Sequence, residues 1–453
     1  MMSRTRGGFL VVGILLPLWS FPAGAEEPAE QGTPAPQIDY VAKLNELVRK
    51  GSDESQNAEP FYQKAFDLCV EPPGEVEITV WPTELPEDQR GILRKWVEAN
   101  SEALAQLRLG TEKPSYWFQY GPGRLLTKQH FSDMPKARLL TWALVLRAKF
   151  KAAEGQIQDA MDDALASCRL GVDMRKRPLL AEQLVGVAIT ACALRTECQI
   201  LAHCHLDRSL LETMQNRLIQ LAQDGNRSID LKGEEFAVED TVQGLYAKWL
   251  GGGVQENTRV FGRAIAALLS TQMKTSYGVD LSADQVYCSL CEHTPQETTQ
   301  LIRRAYEYYH SVVSKTPFQW RKEVTDFEEK QTELIGGNPL LSVLAPDLPR
   351  LAEMSARCRA QRDGLITVLA LLRYENDKGS LPAELEDLVP AGYLAEVPMD
   401  PYSEWPLVYR RTDGGFTLYS VAVDFRDNNG VHSAKWGAEL RGGDYVFWPV
   451  QNQ

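Results

Sequence analysis

Helical periodicity is the feature that most constrains this chain. Apolar residues recur three or four positions apart through most of the sequence from about Ile38 to Val312, and this spacing places them on one face of a helix. Gly155 separates two such stripes, which predicts a helix–turn–helix hairpin, and Pro178 opens the next helix. Helices joined by short turns pack antiparallel, so a mainly α fold is expected. The four stripes are Leu139, Ala143, Leu146, Phe150 and Ala153; Ile157, Met161, Ala164, Leu165, Cys168 and Val172; Leu180, Leu184, Val187, Ala191, Leu194, Cys198 and Leu201; and Leu210, Met214, Leu218 and Leu221.

One segment of this helical region is similar to a known repeat. Gly155-Gln-Ile-Gln-Asp-Ala160, followed by Ala164, resembles the second half of a tetratricopeptide repeat (TPR). Lys151 stands where an aromatic residue is usual, and no second copy follows at a fixed period. Because a repeat array needs several stacked units to bury its faces, we expect residues 38–337 to form an irregular α-helical array that is TPR-like only in part.

The pattern changes towards the C-terminus. Gly336-Gly337 precedes a long predicted helix from about Leu348 to Tyr374, after which prolines become frequent. Short β-type runs flank Asp413-Gly-Gly415, which is a hairpin signal. We therefore predict a second domain over residues 338–453, a small α+β unit with a short antiparallel sheet. Its predicted strands are Leu407-Val-Tyr409, Phe416-Thr-Leu-Tyr-Ser-Val421 and Tyr445-Val-Phe-Trp448.

Several short sequence motifs of this C-terminal part occur in an order that is typical of a known family. They are Lys378-Gly-Ser-Leu-Pro382 after the helix, Val397-Pro-Met-Asp-Pro401, Leu418-Tyr-Ser420 and an Asp-rich loop from Asp424 to Gly430. In this order they resemble the globular domain of type II secretion major pseudopilins. The whole chain also resembles uncharacterised exported proteins typical of planctomycete-type bacteria, a group with no activity to transfer.

The pseudopilin resemblance implies a calcium site in the Asp-rich loop. Carried over by position, the ligands would be Asp424, Asp427 and Asn428, with Asp444 a more distant candidate. Calcium prefers several oxygen ligands, which carboxylates, amides and backbone carbonyls supply. Phe425 and Arg426 depart from the family, which usually has glycine there, and Arg426 adds a positive charge. The alternative is an Asx-rich turn without a metal.

The N-terminus has the features of a targeting signal. Arg4 and Arg6 precede a short apolar core, and Ala23-Gly-Ala25 is a small-residue cleavage site. We predict a signal peptide over residues 1–25, a disordered Pro-rich linker over residues 26–37, and an exported protein, periplasmic or extracellular, with no stable membrane span after cleavage. A prepilin leader is the competing interpretation, but Gly13 occupies the place of its usual Glu.

Charge and cysteine content exclude some classes of function. The net charge of −13 opposes binding to nucleic acid or anionic membranes, which need a basic surface. The eight cysteines permit disulfides in an exported protein, although most are expected to be small buried hydrophobic residues. Cys288-Ser-Leu-Cys291 with His293 suggests zinc or redox chemistry, with a local disulfide or packed thiols as the alternative.

Other candidate side chains have simpler interpretations. His203, Cys204 and His205 are expected to end a helix, where a cationic His interacts favourably with the helix dipole. The adjacent carboxylates Asp162-Asp163 and Glu234-Glu235 point to different helix faces and are expected to be solvated.

The sequence contains no local catalytic signature such as a Gly-x-Ser-x-Gly elbow, a phosphate loop or a His-Glu-x-x-His motif. Three hypotheses follow: a non-catalytic scaffold or protein-binding component of the cell envelope with an unidentified protein partner, a component of a type II secretion or pilus-like assembly, or a hydrolase or metalloenzyme with a site between helices. The first is preferred, with calcium as the one possible cofactor.

Overall fold

The structure is a computed structural model that describes residues 38–48, 53–74, 76, 78–122, 132–225, 229–250, 282, 293–438 and 442–451. The predicted signal peptide, the whole of the predicted linker, and the pair Cys288 and Cys291 lie outside these residues. The chain is mainly helical, with a small three-stranded antiparallel sheet near the C-terminus, so the coarse fold prediction is confirmed.

Fourteen helices are described. They are α1 (Tyr40–Val48), α2 (Glu59–Asp67), α3 (Glu87–Ala99), α4 (Ser101–Thr111), α5 (Asp133–Ala153), α6 (Ile157–Met174), α7 (Leu180–His203), α8 (Arg208–Gly225), α9 (Lys232–Leu250), α10 (Pro295–Val312), α11 (Pro317–Glu323), α12 (Phe327–Leu334), α13 (Pro339–Leu344) and α14 (Leu348–Lys378). Those from α5 to α9 follow one another with short connections. The strands are β1 (Val408–Thr412), β2 (Gly415–Ser420) and β3 (Tyr445–Trp448), with β2 in the centre.

Helix α7 connects the hydrophobic cores of the protein. It contributes Val185 and Ile189 to the N-terminal core, Leu194 to the core shared with the C-terminal part, and Leu184 to a third core with α9, α10 and α14. The sequence predicted one apolar face, but α7 is buried on most sides, as expected of a helix that is apolar all round. By length and composition alone α7 could also span a membrane, but most of its apolar window is buried inside the protein.

Two glycines permit the closest helix packing. A Cβ on Gly186 would lie 2.6 Å from the Gly171 carbonyl oxygen, and a Cβ on Gly171 would lie 2.8 Å from the Gly186 carbonyl oxygen. Helices α6 and α7 therefore cross with their backbones in contact, a packing that larger residues would prevent.

The long helix α14 joins the helical and C-terminal parts. Its first turns contribute Leu348 and Leu351 to the core that also contains residues of α9 and α10, and its later turns pack through Leu365 and Leu369 under the sheet. Gly379 ends the helix in the left-handed conformation, with φ of 70°, which glycine adopts without steric cost. One core thus contains residues from both sides of the predicted boundary at residue 337, and the division into two domains stays a prediction.

Candidate functional site

An open groove lies where α11, the middle of α14 and the loop 394–404 meet. Its volume is about 800 Å³, within the range of ligand sites in proteins. Phe318 on α11, Ile366 on α14 and Val397 of the loop give it apolar walls. Arg359 and Arg362 on α14 provide positive charge at its lining.

The loop that forms one wall is fixed by a buried carboxylate. Asp400 accepts hydrogen bonds from the Ser420 hydroxyl at 2.8 Å, the Val421 amide at 2.8 Å and the Tyr402 amide at 3.0 Å. Burial raises the pKa of Asp400, and these hydrogen bonds oppose the rise. The Pro-x-Asp-Pro block and the Tyr-Ser block, noted separately in the sequence, are therefore joined through this side chain.

The opposite wall is a short, well-capped helix. Thr316 and Gln319 form a reciprocal capping box at the start of α11. The Phe318 amide then donates to the Pro401 carbonyl at 3.1 Å, and Lys322 pairs with Glu404 at 2.6 Å. These contacts connect the two walls and set the width of the groove.

Two large apolar side chains on the loop of the groove are exposed. Met399, which lines the groove, is 56% exposed, and Trp405, which follows the lining residue Glu404, is 73% exposed. The Asp400 amide donates to the Trp405 carbonyl at 3.0 Å, so both residues belong to one tight loop. Single exposed apolar residues are common, but here two large ones lie on one loop, and Met399 lines the groove.

A second, smaller cavity of about 210 Å³ lies between α7, the segment 79–84 and β3. His203 lines it and stacks on Trp81 with ring centroids 4.1 Å apart. Its Nδ1 lies 2.8 Å from the Gln199 carbonyl oxygen, and α7 ends at His203 as predicted. Cys204 is half-buried and His205 is exposed, so these neighbours do not share one site with His203.

The Asp-rich loop is held by its own hydrogen bonds. Asp424 accepts from the Arg426 and Gly443 amides. Asp444 accepts from the amides of Asn428 at 3.1 Å and Gly430 at 2.7 Å.

Asp427 is also fully engaged. It accepts from the Tyr419 hydroxyl and the Asn429 amide, and it pairs with Arg410 at 2.8 Å. Among the described residues, no three His, Cys, Asp or Glu side chains converge to hold a metal ion. This arrangement fits the Asx-rich turn. Calcium binding stays a prediction.

The expectation that the paired carboxylates are solvated is wrong: Asp162 and Glu234 are half-buried, and the other two are buried. Asp163 is completely buried and accepts from Arg147 and Lys151, both at 2.8 Å. Glu235 is 6% exposed and pairs with Lys232 at 2.8 Å. The two residues of each pair do point to different faces of their helix. One of those faces, however, packs against side chains that include cations, so the carboxylate on that face is buried and paired.

A further buried ionic cluster was not anticipated from the sequence. Arg177 is 1% exposed, and it pairs with Glu182 at 3.2 Å and with Glu59 at 3.3 Å. Its guanidinium lies 4.0 Å from the centroid of the Phe118 ring. Arg177 belongs to the basic cluster 175–177, but its burial depends on segments far apart in sequence, so no local signal reveals it.

The cysteines that the structure describes are all free thiols. Cys168 and Cys358 are buried and the other four are half-buried, so they behave mainly as packed hydrophobic residues. His293 is described, whereas its proposed partners Cys288 and Cys291 are not, and the zinc or disulfide alternatives for that segment stay open.

Comparison with known proteins adds no identification. No protein-family model matches the chain, and neither a curated protein nor a solved structure is significantly similar to it. The geometry described above is therefore the basis for assigning a function.

Proposed function

We propose that this chain is an exported, non-catalytic component of the cell envelope that binds a protein partner through the groove between α11, α14 and the loop 394–404. The observation that carries the proposal is the exposed pair on the loop of the groove: Met399, which lines the groove, and Trp405, which follows the lining residue Glu404. Exposed large apolar and aromatic residues are typical anchors of protein interfaces.

The contacts that hold the groove together support a binding site that is already formed before a partner binds. Asp400 fixes the loop with three hydrogen bonds, and α11 is connected to the loop by the Phe318 amide. A rigid site loses little conformational entropy when a partner binds. The net charge of −13 also favours a protein partner over nucleic acid.

Affinity capture with matched variants tests this function. The double variant Met399→Ala and Trp405→Ala removes the exposed anchors, and Val431→Ala is the control because Val431 is 64% exposed but does not line the groove. We expect wild-type protein and the control to capture the same envelope protein, and the double variant to lose it. Capture of identical proteins by all three would contradict the proposal, as would capture of none.

Export is a separate part of the proposal and has its own test. The basic residues, apolar core and Ala23-Gly-Ala25 site support cleavage after Ala25. N-terminal sequencing of the mature protein should give Glu26. A mature chain that begins at Phe9 would instead support the prepilin alternative and a role in a secretion or pilus-like assembly.

The finer description of the fold also belongs to this proposal. The hairpin of α5 and α6 supports a TPR-like unit, since the two helices meet at Gly155 with φ of 82°. The order of α14, Gly379, the Pro-rich loop and the sheet supports a pseudopilin-like C-terminal part. A structure of the isolated region 338–453 would test whether this part folds by itself.

A further inference from the structure

We propose that the groove contains an oxyanion-binding subsite, for a carboxylate or phosphate group, formed by Arg359 and Arg362 with Arg175 behind them. Arg359 and Arg362 are three residues apart on α14 and are therefore neighbours on its surface. Both line the groove, and both also line a narrow cavity of about 20 Å³ to which Arg175 contributes. The inference rests on the proposed function, because it names the ligand chemistry at one place in the same groove.

The three guanidinium groups are partly withdrawn from water. Arg175 stands at the C-terminal cap of α6, where Gly186 of α7 approaches its backbone. All three side chains are half-buried. Such a grouping of cations is unusual in a chain with a net charge of −13.

The electrostatics of the cluster agree with this geometry. Burial lowers the pKa of Arg359, and the charges of Arg362 and Arg175 lower it further, against a smaller opposing effect of Asp363. Burial and the Arg362 charge also lower the pKa of Arg175. Like charges that repel one another in a half-buried site are stabilised by a bound anion.

Arg359 is the member of the cluster best placed to bind a ligand. It makes no hydrogen bond or ion pair with the residues that the structure describes. Of the other carboxylates that line the groove, Asp400 faces three donors of its own loop, and Glu396 is exposed, where water screens its charge. The other acidic residues of the groove are ion-paired, Asp363 with Arg362, Glu323 with Lys315 and Glu404 with Lys322.

Thermal unfolding of the purified full-length protein with inorganic phosphate or acetate tests the subsite. Chloride at the same ionic strength controls for screening, and low-millimolar anion keeps general salt effects small. We expect a saturable rise in Tm for wild-type protein. Glutamine at position 359 (Arg359→Gln) should raise the dissociation constant at least about tenfold, since a charged hydrogen bond contributes roughly 1.5–3 kcal/mol.

Arg304→Gln is the matched control, because Arg304 is an exposed helical arginine on α10, and it should bind as wild type does. Without anion, R359Q should have a Tm equal to or above that of wild type, since the substitution removes repulsion. A saturable rise in Tm with phosphate or acetate that is lost in R359Q supports the subsite. The anion that binds more tightly shows whether the natural ligand group is a phosphate or a carboxylate.

Two outcomes would overturn the inference: no saturable response to phosphate or acetate in wild-type protein, or an unchanged response in R359Q. The variant that lacks Met399 and Trp405 should retain anion binding. Failure of partner capture and failure of the anion subsite are therefore separate results.

Discussion

Buried carboxylates are stabilised differently in the helical region and in the C-terminal region. In the helices, Asp163 is surrounded by the side-chain cations of Arg147 and Lys151. After α14, the buried Asp400 faces backbone amides and a hydroxyl. The difference follows from the backbone, because amides within a helix are already used in the helical ladder whereas amides in loops remain available.

The comparison has an informative exception on α7. Glu197 is completely buried, and its Oε1 accepts from the Cys168 thiol at 3.4 Å. Its Oε2 has no hydrogen-bond partner among the described residues. Burial raises the pKa of Glu197 to about 8, so this carboxyl is mostly protonated at neutral pH. A helical region therefore stabilises a buried acid either with a cation or with a proton.

The largest loss of stability is expected when the buried cation Arg177 of the helical region is removed. Arg177→Met leaves Glu182 and Glu59 buried without their partner, which should cost roughly 3–5 kcal/mol. Urea unfolding followed by circular dichroism measures the change. Arg94→Met is the control, because the Arg94–Glu154 pair is more than 40% exposed on both sides, and it should cost less than about 1 kcal/mol. Equal losses of stability in the two variants would refute the idea that a buried cation stabilises the carboxylates of the helical region.

Glu197→Gln sharpens the exception. The folded-state pKa of about 8 exceeds the ordinary value of 4.5, so the folded chain binds the extra proton between these values. The contribution to stability is complete below the ordinary value and is lost as pH rises to the folded-state pKa. The variant lacks this loss and should be more stable than wild type by about 3 kcal/mol at pH 7.

Unfolding free energies of both proteins across the same pH range provide the measurement. The difference between them should grow from near zero at acidic pH and level off above the folded-state pKa. Because Glu59 and Glu234 also have raised pKa values of about 7, only the difference between variant and wild type isolates Glu197. A difference that does not vary with pH would show that Glu197 is not protonated in the folded protein.

In the C-terminal region, Asp400→Ala should cost about 2 kcal/mol, because the Val421 and Tyr402 amides lose a buried acceptor. Added salt should leave this cost nearly unchanged, since no cation of the described residues pairs with Asp400. Glu396→Ala in the same loop is the control, because Glu396 is exposed. A strong salt dependence of the Asp400→Ala effect would break the contrast between the two regions.

The smallest effect is expected at the exposed pair Arg410–Asp427, whose side chains are 41% and 43% exposed. Arg410→Met should lower stability by less than about 1 kcal/mol. If the Asp-rich loop binds calcium, the variant should bind it more tightly, since a competing cation has been removed from Asp427. Calorimetric titration of both proteins with calcium tests this, and absence of heat in both would reject the calcium prediction.

Much of the fold was accessible from local patterns. The long helix α14, the change of pattern near Gly379-Ser-Leu-Pro382 and the β1–β2 hairpin all follow from spacing and turn chemistry. These features depend on residues close together in the chain, and neighbouring residues carry the necessary information.

The candidate site was accessible only in fragments. Asp400 was recognised as part of a Pro-x-Asp-Pro block, but its role in holding Ser420 and Val421 needs the folded loop. Arg359 and Met399 form parts of one groove although forty positions separate them in the sequence. The burial of Asp163 was missed because helical spacing shows to which face of the helix a side chain points, but not which other segment packs against that face.

The sequence by itself determined the helical class and the hairpin, because helix periodicity and the Asp413-Gly-Gly415 turn act locally. It placed the end of α14 at about Tyr374, whereas the helix continues to Lys378. Only the tertiary structure decided that α7 lies between three cores, that Arg177 and Asp163 are buried and paired, and that the carboxylates of the Asp-rich loop find partners outside the loop, on Arg410, Tyr419 and Gly443. The physical reason is that burial and electrostatic partners depend on which distant segments pack together, and a periodic pattern does not specify that choice.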